Sequence, residues 1–312
     1  MTAAFDAALA AAVPESAIRR REPLADHTTL QVGGPADWLV TVSASGELVR
    51  VLRAARAHGV PVTMLGGGSN VVIADEGIRG LVLRLQLTGI STPSPDRVRA
   101  EAGVTMNGLV RWMVGRGLSG LEAWAGTPGT VGGAVYGNAH YGGHNISERI
   151  MQVHVVSLDG DEATLARADM GFAYDTSRLQ SSGEIAVWAD FEAGTGAPEA
   201  LRAVARRSLA HRKQTQPLAL PSAGCLFQNP DPARDRLPEG VPASAGALID
   251  RAGLKGHRIG GAVISPVHAN FVVNDGTATA ADIRALADQA RTAVRERFGV
   301  ELRNEVVFLG KF

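Results

Sequence analysis

Residues 126–143 read GTPGTVGGAVYGNAHYGG, and the interpretation of the whole chain turns on them. Seven glycines in eighteen positions, among small and almost uncharged neighbours, let a backbone approach another group closely and aim bare N–H groups at it. Such amides form nests suited to a phosphate or pyrophosphate. The bland alternative is a glycine-rich surface loop. A second run, LGGGSN at 65–70, lies about one supersecondary unit upstream, and two such loops can clamp one dinucleotide.

Neither run fits the common phosphate motifs. GGGSN is followed by Val71, Val72 and Ile73, which read as a strand, so the GxGxxG device of a helix N-terminus on pyrophosphate is not met. The Lys-Ser/Thr of a P-loop is also missing.

The chain has 312 residues, 45% of them hydrophobic, enough for two or three folded domains and too apolar for a disordered protein. Lys+Arg and Asp+Glu balance at 31 each, so no net field favours nucleic acid or an anionic membrane. The single cysteine, Cys225, can form neither an internal disulfide nor a cysteine-based zinc site, which fits a reducing compartment. The start, MTAAFDAALAAAVPES, lacks the basic residues of a signal peptide, and no stretch approaches the ~18 apolar residues of a membrane span. The expectation is a soluble, cytoplasmic protein with no metal and no obligate protein partner.

Periodicity predicts helices at 5–13, 45–58, 105–117, 198–213, 245–252 and 280–298. Strands are expected at 27–40 (with a Gly33-Gly34-Pro35 turn), 60–65, 71–73, 80–85, 98–104, 151–158, around 184–191, at 268–274 and at 305–309. TGISTPSP (88–95) and GTGAP (194–198) read as linkers. They divide the chain into residues 1–88, 89–197 and 198–312, an α+β organisation whose last strand can return to the first region.

Six stretches, in order, resemble one family: GGGSNVVI, GLEAWAGTPGTVGGAVYGNA, FAYDTSRLQ, PSAGCLFQNP, AGLKGHRIGGAVISPVHANFVVN and GVELRNEVVFLG. Together they span about residues 27–310, and they are similar to the UDP-N-acetylenolpyruvoylglucosamine reductases, flavoenzymes that make UDP-N-acetylmuramate for peptidoglycan. The resemblance implies a three-domain FAD-binding fold of the vanillyl-alcohol-oxidase (PCMH) type with a C-terminal α+β substrate domain. It implies non-covalent FAD, since no histidine stands in the usual attachment place before GGGSN, with NADPH as reductant and a UDP-sugar as substrate. Cofactor-binding residues would be Gly66, Gly67, Gly68, Ser69, Asn70, Gly126, Thr127, Pro128, Gly129, Thr130, Gly132, Gly133 and Asn138.

Reducing an enol ether beside a carboxylate requires hydride delivery, stabilisation of the resulting negative charge, and a proton for the carbon that carries it. Cys225 occupies the place of the family's proton-donating serine, and a thiol with a reference pKa of about 8.5 is a competent acid. Glu305, in RNEVVF, matches the family's glutamate, which polarises the substrate or manages the proton. The third role is a departure. The family's FxYRxS places an arginine after the tyrosine, whereas this chain has Asp175, which can donate to an enolate only if protonated. Arg178 is a candidate replacement, although an odd offset on an extended strand turns it to the other face. A second departure is NAHYGG (138–143) in place of NAGAYG, which alters the contacts around His140. Tyr174 matches the family motif and is a candidate to line the substrate pocket; Lys213, Asn229, His268 and Asn270 are candidate substrate contacts, and each of these four can equally be a structural hydrogen-bonder. The rival functions are another oxidoreductase of the same fold and a flavin-binding protein without turnover.

Overall fold

The structure, a computed structural model, describes residues 2–237 and 239–312. The chain divides into two compact units. The first comprises Met1–Glu22, Asp37–Gly67 and Arg79–His211; the second comprises Pro23–Ala36, Gly68–Ile78 and Arg212–Phe312.

Two hydrophobic cores organise the first unit. One gathers Phe5 and Leu9 of helix α1 (Thr2–Ala12) with Leu48, Val51, Leu52 and Ala55 of α2 (Ser45–Ala57). These pack on a four-stranded sheet in the order Ile18–Pro23, Pro35–Val42, Ile78–Leu85, Val62–Met64, the last pair parallel. The 3–4 spacing of those apolar residues gives α2 one buried face. Glu47 near its start and Arg56 near its end complement the helix dipole, and Gly59 at φ +63° follows its end.

The second core lies on a five-stranded antiparallel sheet in the order Glu162–Ala166, Ile150–Val156, Ile185–Glu192, Arg97–Glu101, Ile90–Ser94. Helix α3 (Met106–Gly115) buries Met106, Leu109, Val110 and Met113 there, and Thr105 caps it by accepting from Gly108 N at 3.1 Å. Each such side chain contributes roughly 1.5–3 kcal/mol of burial. Helices α4 (Val131–Tyr136), α5 (Leu179–Ser182) and α6 (Pro198–Thr215) complete this part of the chain.

The second unit has its own core under a four-stranded antiparallel sheet, ordered Ser222–Cys225, Phe271–Asn274, Ala262–Ile264, Arg258–Ile259. Helices α7 (Ala245–Arg251) and α8 (Ala280–Phe298) pack on it. Thr279 and Asp282 form a reciprocal capping box at the start of α8, and Gly299 in the left-handed region ends it. Residues 68–78 belong here for a physical reason. The strand Val71–Ile73 pairs in parallel with Val307–Leu309, and the Asp75 carboxylate accepts from Ala280 N at 2.8 Å and Ala281 N at 3.0 Å.

Several local expectations are corrected. Residues 27–34 are not a strand: Thr28 folds back on Val32 O through its hydroxyl, and the strand begins at Pro35. The expected linker at 88–95 contains the strand Ile90–Ser94, because Ile90, Ser91 and Ser94 pair with Ala100, Arg99 and Arg97 and Gly89 N donates to Glu101. Gly194–Thr195 pairs with Leu118–Ser119 in place of forming a plain linker. The strand expected from His268 starts at Phe271 and is buried on both faces, so its residues do not alternate. The 126–143 stretch is not loop throughout, since α4 lies inside it.

Candidate active site

In the first unit the two glycine runs meet backbone to backbone. A Cβ at Gly67 would stand 2.8 Å from Gly129 Cα, and one at Gly66 would stand 3.0 Å from Thr130 Oγ1. Only residues without side chains allow that approach. Hydrogen bonding separates the amides of the two runs into two sets. Gly126 N donates to Asn107 Oδ1, Thr127 N to Trp124 O, Val131 N to Val104 O, Gly132 N to Ala102 O and Gly133 N to Thr130 Oγ1. Among the described residues, no protein oxygen accepts from the amides of Gly66, Gly67, Gly129 or Thr130. Unsatisfied main-chain donors in a close-packed glycine cradle are the donor set that a pyrophosphate requires, so these residues fit FAD. The other predicted cofactor residues have structural uses as well. Gly132 is pressed on Ala102, where a Cβ would lie 3.0 Å from Ala102 Cβ. Pro128 is exposed.

The FAYDTSRLQ stretch is a turn, not the extended strand assumed for its offsets. Four hydrogen bonds fasten the turn and its flanks. Asn138 Nδ2 donates to Ala173 O at 2.7 Å, Ser177 Oγ to Tyr136 O at 2.7 Å, and Gln180 Nε2 to both Tyr136 O at 3.0 Å and Asp175 O at 2.8 Å. The end of the glycine stretch and the turn are therefore one structural piece. Asp175 sits at φ +53°, a left-handed conformation that aspartate tolerates better than most residues. Its Oδ1 lies 3.0 Å from His140 Nδ1, and the His140 ring lies 4.9 Å from that of Tyr174. Arg178 is the N-cap residue of α5 and points elsewhere: its Nε and Nη2 bind the two carboxylate oxygens of Glu184 at 2.7 and 3.1 Å. Burial pushes the Glu184 carboxyl up, but the bonds from Arg178 and Ser182 outweigh it and leave it below the usual range.

The second unit brings Cys225 and Glu305 together. Cys225 ends its strand opposite Phe271, after Gly224 at φ +82°. The next residue, Leu226, accepts from Glu305 N at 2.9 Å, and Asn70 Nδ2 donates to Glu305 O at 3.1 Å. Both Cys225 and Glu305 are half-buried. The small cavity behind Cys225, about 10 Å³, is walled by Leu30, Val72, Ala223, Val272, Ile283 and Val306 and has room for at most about one water. It is a packing gap, not a substrate pocket.

Other predicted residues in this unit have definite local duties. Gly68 is required by packing, since a Cβ there would lie 2.1 Å from His27 O and its φ is +64°. Ser69 is half-buried in the same run. Asn270 is buried and spends both ends of its amide on Phe227, accepting from N at 3.0 Å and donating to O at 2.7 Å. Asn229 is exposed and accepts from Ala245 N at the start of α7. His268 Nδ1 accepts from Asn270 N at 3.2 Å. Burial, and then the nearby Lys255, hold the imidazole below its ordinary value. Lys213 is exposed in the last turn of α6.

Sequence reasoning missed the His140–Asp175 pair. The signal lies in the two departures, NAHYGG and FAYDTS, which come together only in the folded chain.

An α+β chain in which two glycine runs form an amide-lined cradle belongs to the FAD-binding class. A family model described as "FAD binding domain" matches residues 36–166, and one described as "UDP-N-acetylenolpyruvoylglucosamine reductase, C-terminal domain" matches residues 216–309. The chain is 42% identical to UDP-N-acetylenolpyruvoylglucosamine reductase 2 of Symbiobacterium thermophilum, over 94% of this chain and 92% of that one. The solved structure of the UDP-N-acetylenolpyruvylglucosamine reductase of Thermus caldophilus is 34% identical, with a TM-score of 0.79 over 94% of this chain and all of that one. A structure of Phl p 4, a grass pollen allergen with glucose dehydrogenase activity, shares the fold alone: 15% identity and a TM-score of 0.50, over 62% of this chain and 44% of that one. The chain belongs to the UDP-N-acetylenolpyruvoylglucosamine reductase family.

Proposed function

We propose that this chain reduces UDP-N-acetylglucosamine enolpyruvate to UDP-N-acetylmuramate with NADPH, using non-covalently bound FAD. The observation that carries this reading is the presence, in one chain, of an amide-lined glycine cradle and a Cys225–Glu305 pair held on adjoining backbone. The three hydrophobic cores support a division into two FAD-binding subdomains and a substrate domain.

Gly66, Gly67, Gly129 and Thr130 hold the cofactor's pyrophosphate through their amides, and the rest of the 126–133 run shapes the cradle. FAD held there would supply the hydride chemistry, with NADPH as its reductant. The protein's own work is to orient the substrate and to move a proton. Cys225 Sγ gives its proton to the carbon beside the substrate carboxylate, and Glu305, fixed through its backbone by Leu226 and Asn70, polarises that carboxylate. Tyr174, 42% exposed, and the exposed Lys213 contact the sugar and the diphosphate. Asn229 and Asn270 act as braces for that machinery, because their amides are engaged with the backbone. Arg178 takes no part, being held by Glu184.

No helix among the described residues is long and apolar enough to cross a membrane, and we place the reaction in the cytoplasm, where NADPH and nucleotide sugars are found. Incubation of the FAD-loaded protein with NADPH and the enolpyruvyl sugar, followed by chromatography of the nucleotide sugars, tests the assignment. Conversion to UDP-N-acetylmuramate supports it. NADPH oxidation with the sugar recovered unchanged overturns it.

A further inference from the structure

Adding hydride to the enolpyruvyl group leaves negative charge on the carbon beside the carboxylate, and a transition state of that kind calls for a cation or a strong donor aimed at it. The arginine of the Tyr174 turn cannot serve, since Arg178 is held by Glu184 through two hydrogen bonds. What the turn holds instead is an imidazole.

We propose that His140 is the catalytic group that offsets the charge developing on the substrate, with Asp175 as the residue that positions it; this rests on the reductase reading above. The pair is built into the fold. His140 leaves the glycine stretch, Asp175 stands on the turn, and bonds from Asn138, Ser177 and Gln180 tie the turn and its flanks together. The Asp175 side chain is 11% exposed and that of His140 is 30% exposed, so the carboxylate lies inside and the ring lies outside it.

A carboxylate on Nδ1 keeps a proton on that nitrogen and fixes the ring plane, and the imidazolium is the form whose Nε2–H can face a negative charge. Asp175 takes a left-handed backbone conformation to reach this position. Among the described residues its Oδ2 is buried without a hydrogen-bond partner, so its placement does not serve a general structural network. A buried polar atom left without a partner calls for an explanation, and a role toward a ligand at this turn supplies one. The ring of Tyr174, itself exposed, lies 4.9 Å from the imidazole, so both side chains can meet one ligand. The inference also accounts for two odd residues at once. An aspartate is useless to an enolate by itself, but it is well suited to orient a cationic histidine.

Rapid-mixing kinetics on the FAD-loaded protein separates the steps. For His140→Ala, NADPH reduces the flavin within about threefold of the parent rate, while reoxidation by the enolpyruvyl sugar falls about 100-fold or more. Calorimetry provides a readout independent of turnover: UDP-N-acetylmuramate, which keeps the carboxylate, binds His140→Ala about tenfold more weakly. Asp175→Asn keeps an acceptor oxygen and loses less than Asp175→Ala. Free imidazole restores reoxidation in His140→Gly, which a merely structural histidine would not permit. The proposal is overturned if His140→Ala reoxidises and binds product like the parent. It is equally overturned if His140→Gly melts at the parent temperature yet gains nothing from imidazole. A parent protein whose reduced flavin ignores the sugar overturns the reductase reading, and this proposal with it, before any variant is made.

Discussion

A single methyl group at Gly67 should loosen FAD binding. In Gly67→Ala the new carbon meets Gly129 Cα at 2.8 Å and the Gly129 carbonyl carbon at 3.3 Å, and both are main-chain atoms that no rotamer change can move. Forcing an extra carbon into a packed contact costs typically 1–3 kcal/mol. If the cradle opens to relieve the clash, that cost falls on cofactor binding, a loss of about 5- to 150-fold in affinity. Titration of the apoprotein with FAD, followed by flavin fluorescence, measures it. Gly115→Ala in α3 is the control: nothing lies within 4 Å of the added methyl, and it should leave FAD affinity unchanged. Gly67→Ala protein that binds FAD within about twofold of the parent and melts at the same temperature would refute the close approach on which the cradle rests.

Three further outcomes are expected. Cys225→Ala should leave reduction of the flavin by NADPH intact and slow its reoxidation by substrate by about 10²- to 10⁴-fold, with Cys225→Ser recovering part of the loss; stopped-flow absorbance checks both. Thr279→Ala removes the hydroxyl that accepts from Asp282 N at 3.1 Å, and should cost about 1 kcal/mol, read as a lower urea midpoint with an unchanged slope. His268 is held below its ordinary value by burial, so as pH falls the unfolded chain, with an imidazole near pH 6.5, takes up a proton before the folded one. Its contribution to stability is therefore complete above about pH 6.5 and lost as pH falls below it, and His268→Gln should show a flatter melting temperature between about pH 7.5 and 5.5.

Much of this fold was legible because its signals are local. The apolar periodicities that predict helices at 45–58, 105–117 and 280–298 each act over one or two turns. Residues 27–34 and 88–95 misled for the opposite reason. Thr28 is satisfied by a backbone carbonyl four residues on, and Ile90–Ser94 becomes a strand only because Arg97–Glu101 offers it an edge. In the candidate site, Cys225, Glu305 and the glycines are singled out by motif position, and their roles are those proposed above. The engagement of Asn270 with Phe227 and of Arg178 with Glu184 could not be read in the sequence, because those partners are fixed by tertiary geometry. The pairing of His140 with Asp175 lay in between: both residues stand out in the sequence, and only the bonds from Asn138, Ser177 and Gln180 reveal that they meet.

The most direct test of the central claim is an anaerobic absorbance experiment on the FAD-loaded protein in one cuvette, with NADPH added first and the enolpyruvyl sugar second. The account predicts that NADPH bleaches the flavin band and that the sugar restores it, with UDP-N-acetylmuramate formed in equal amount. Bleaching without recovery would contradict the substrate assignment, and the absence of any flavin band after incubation with FAD would contradict the cradle itself.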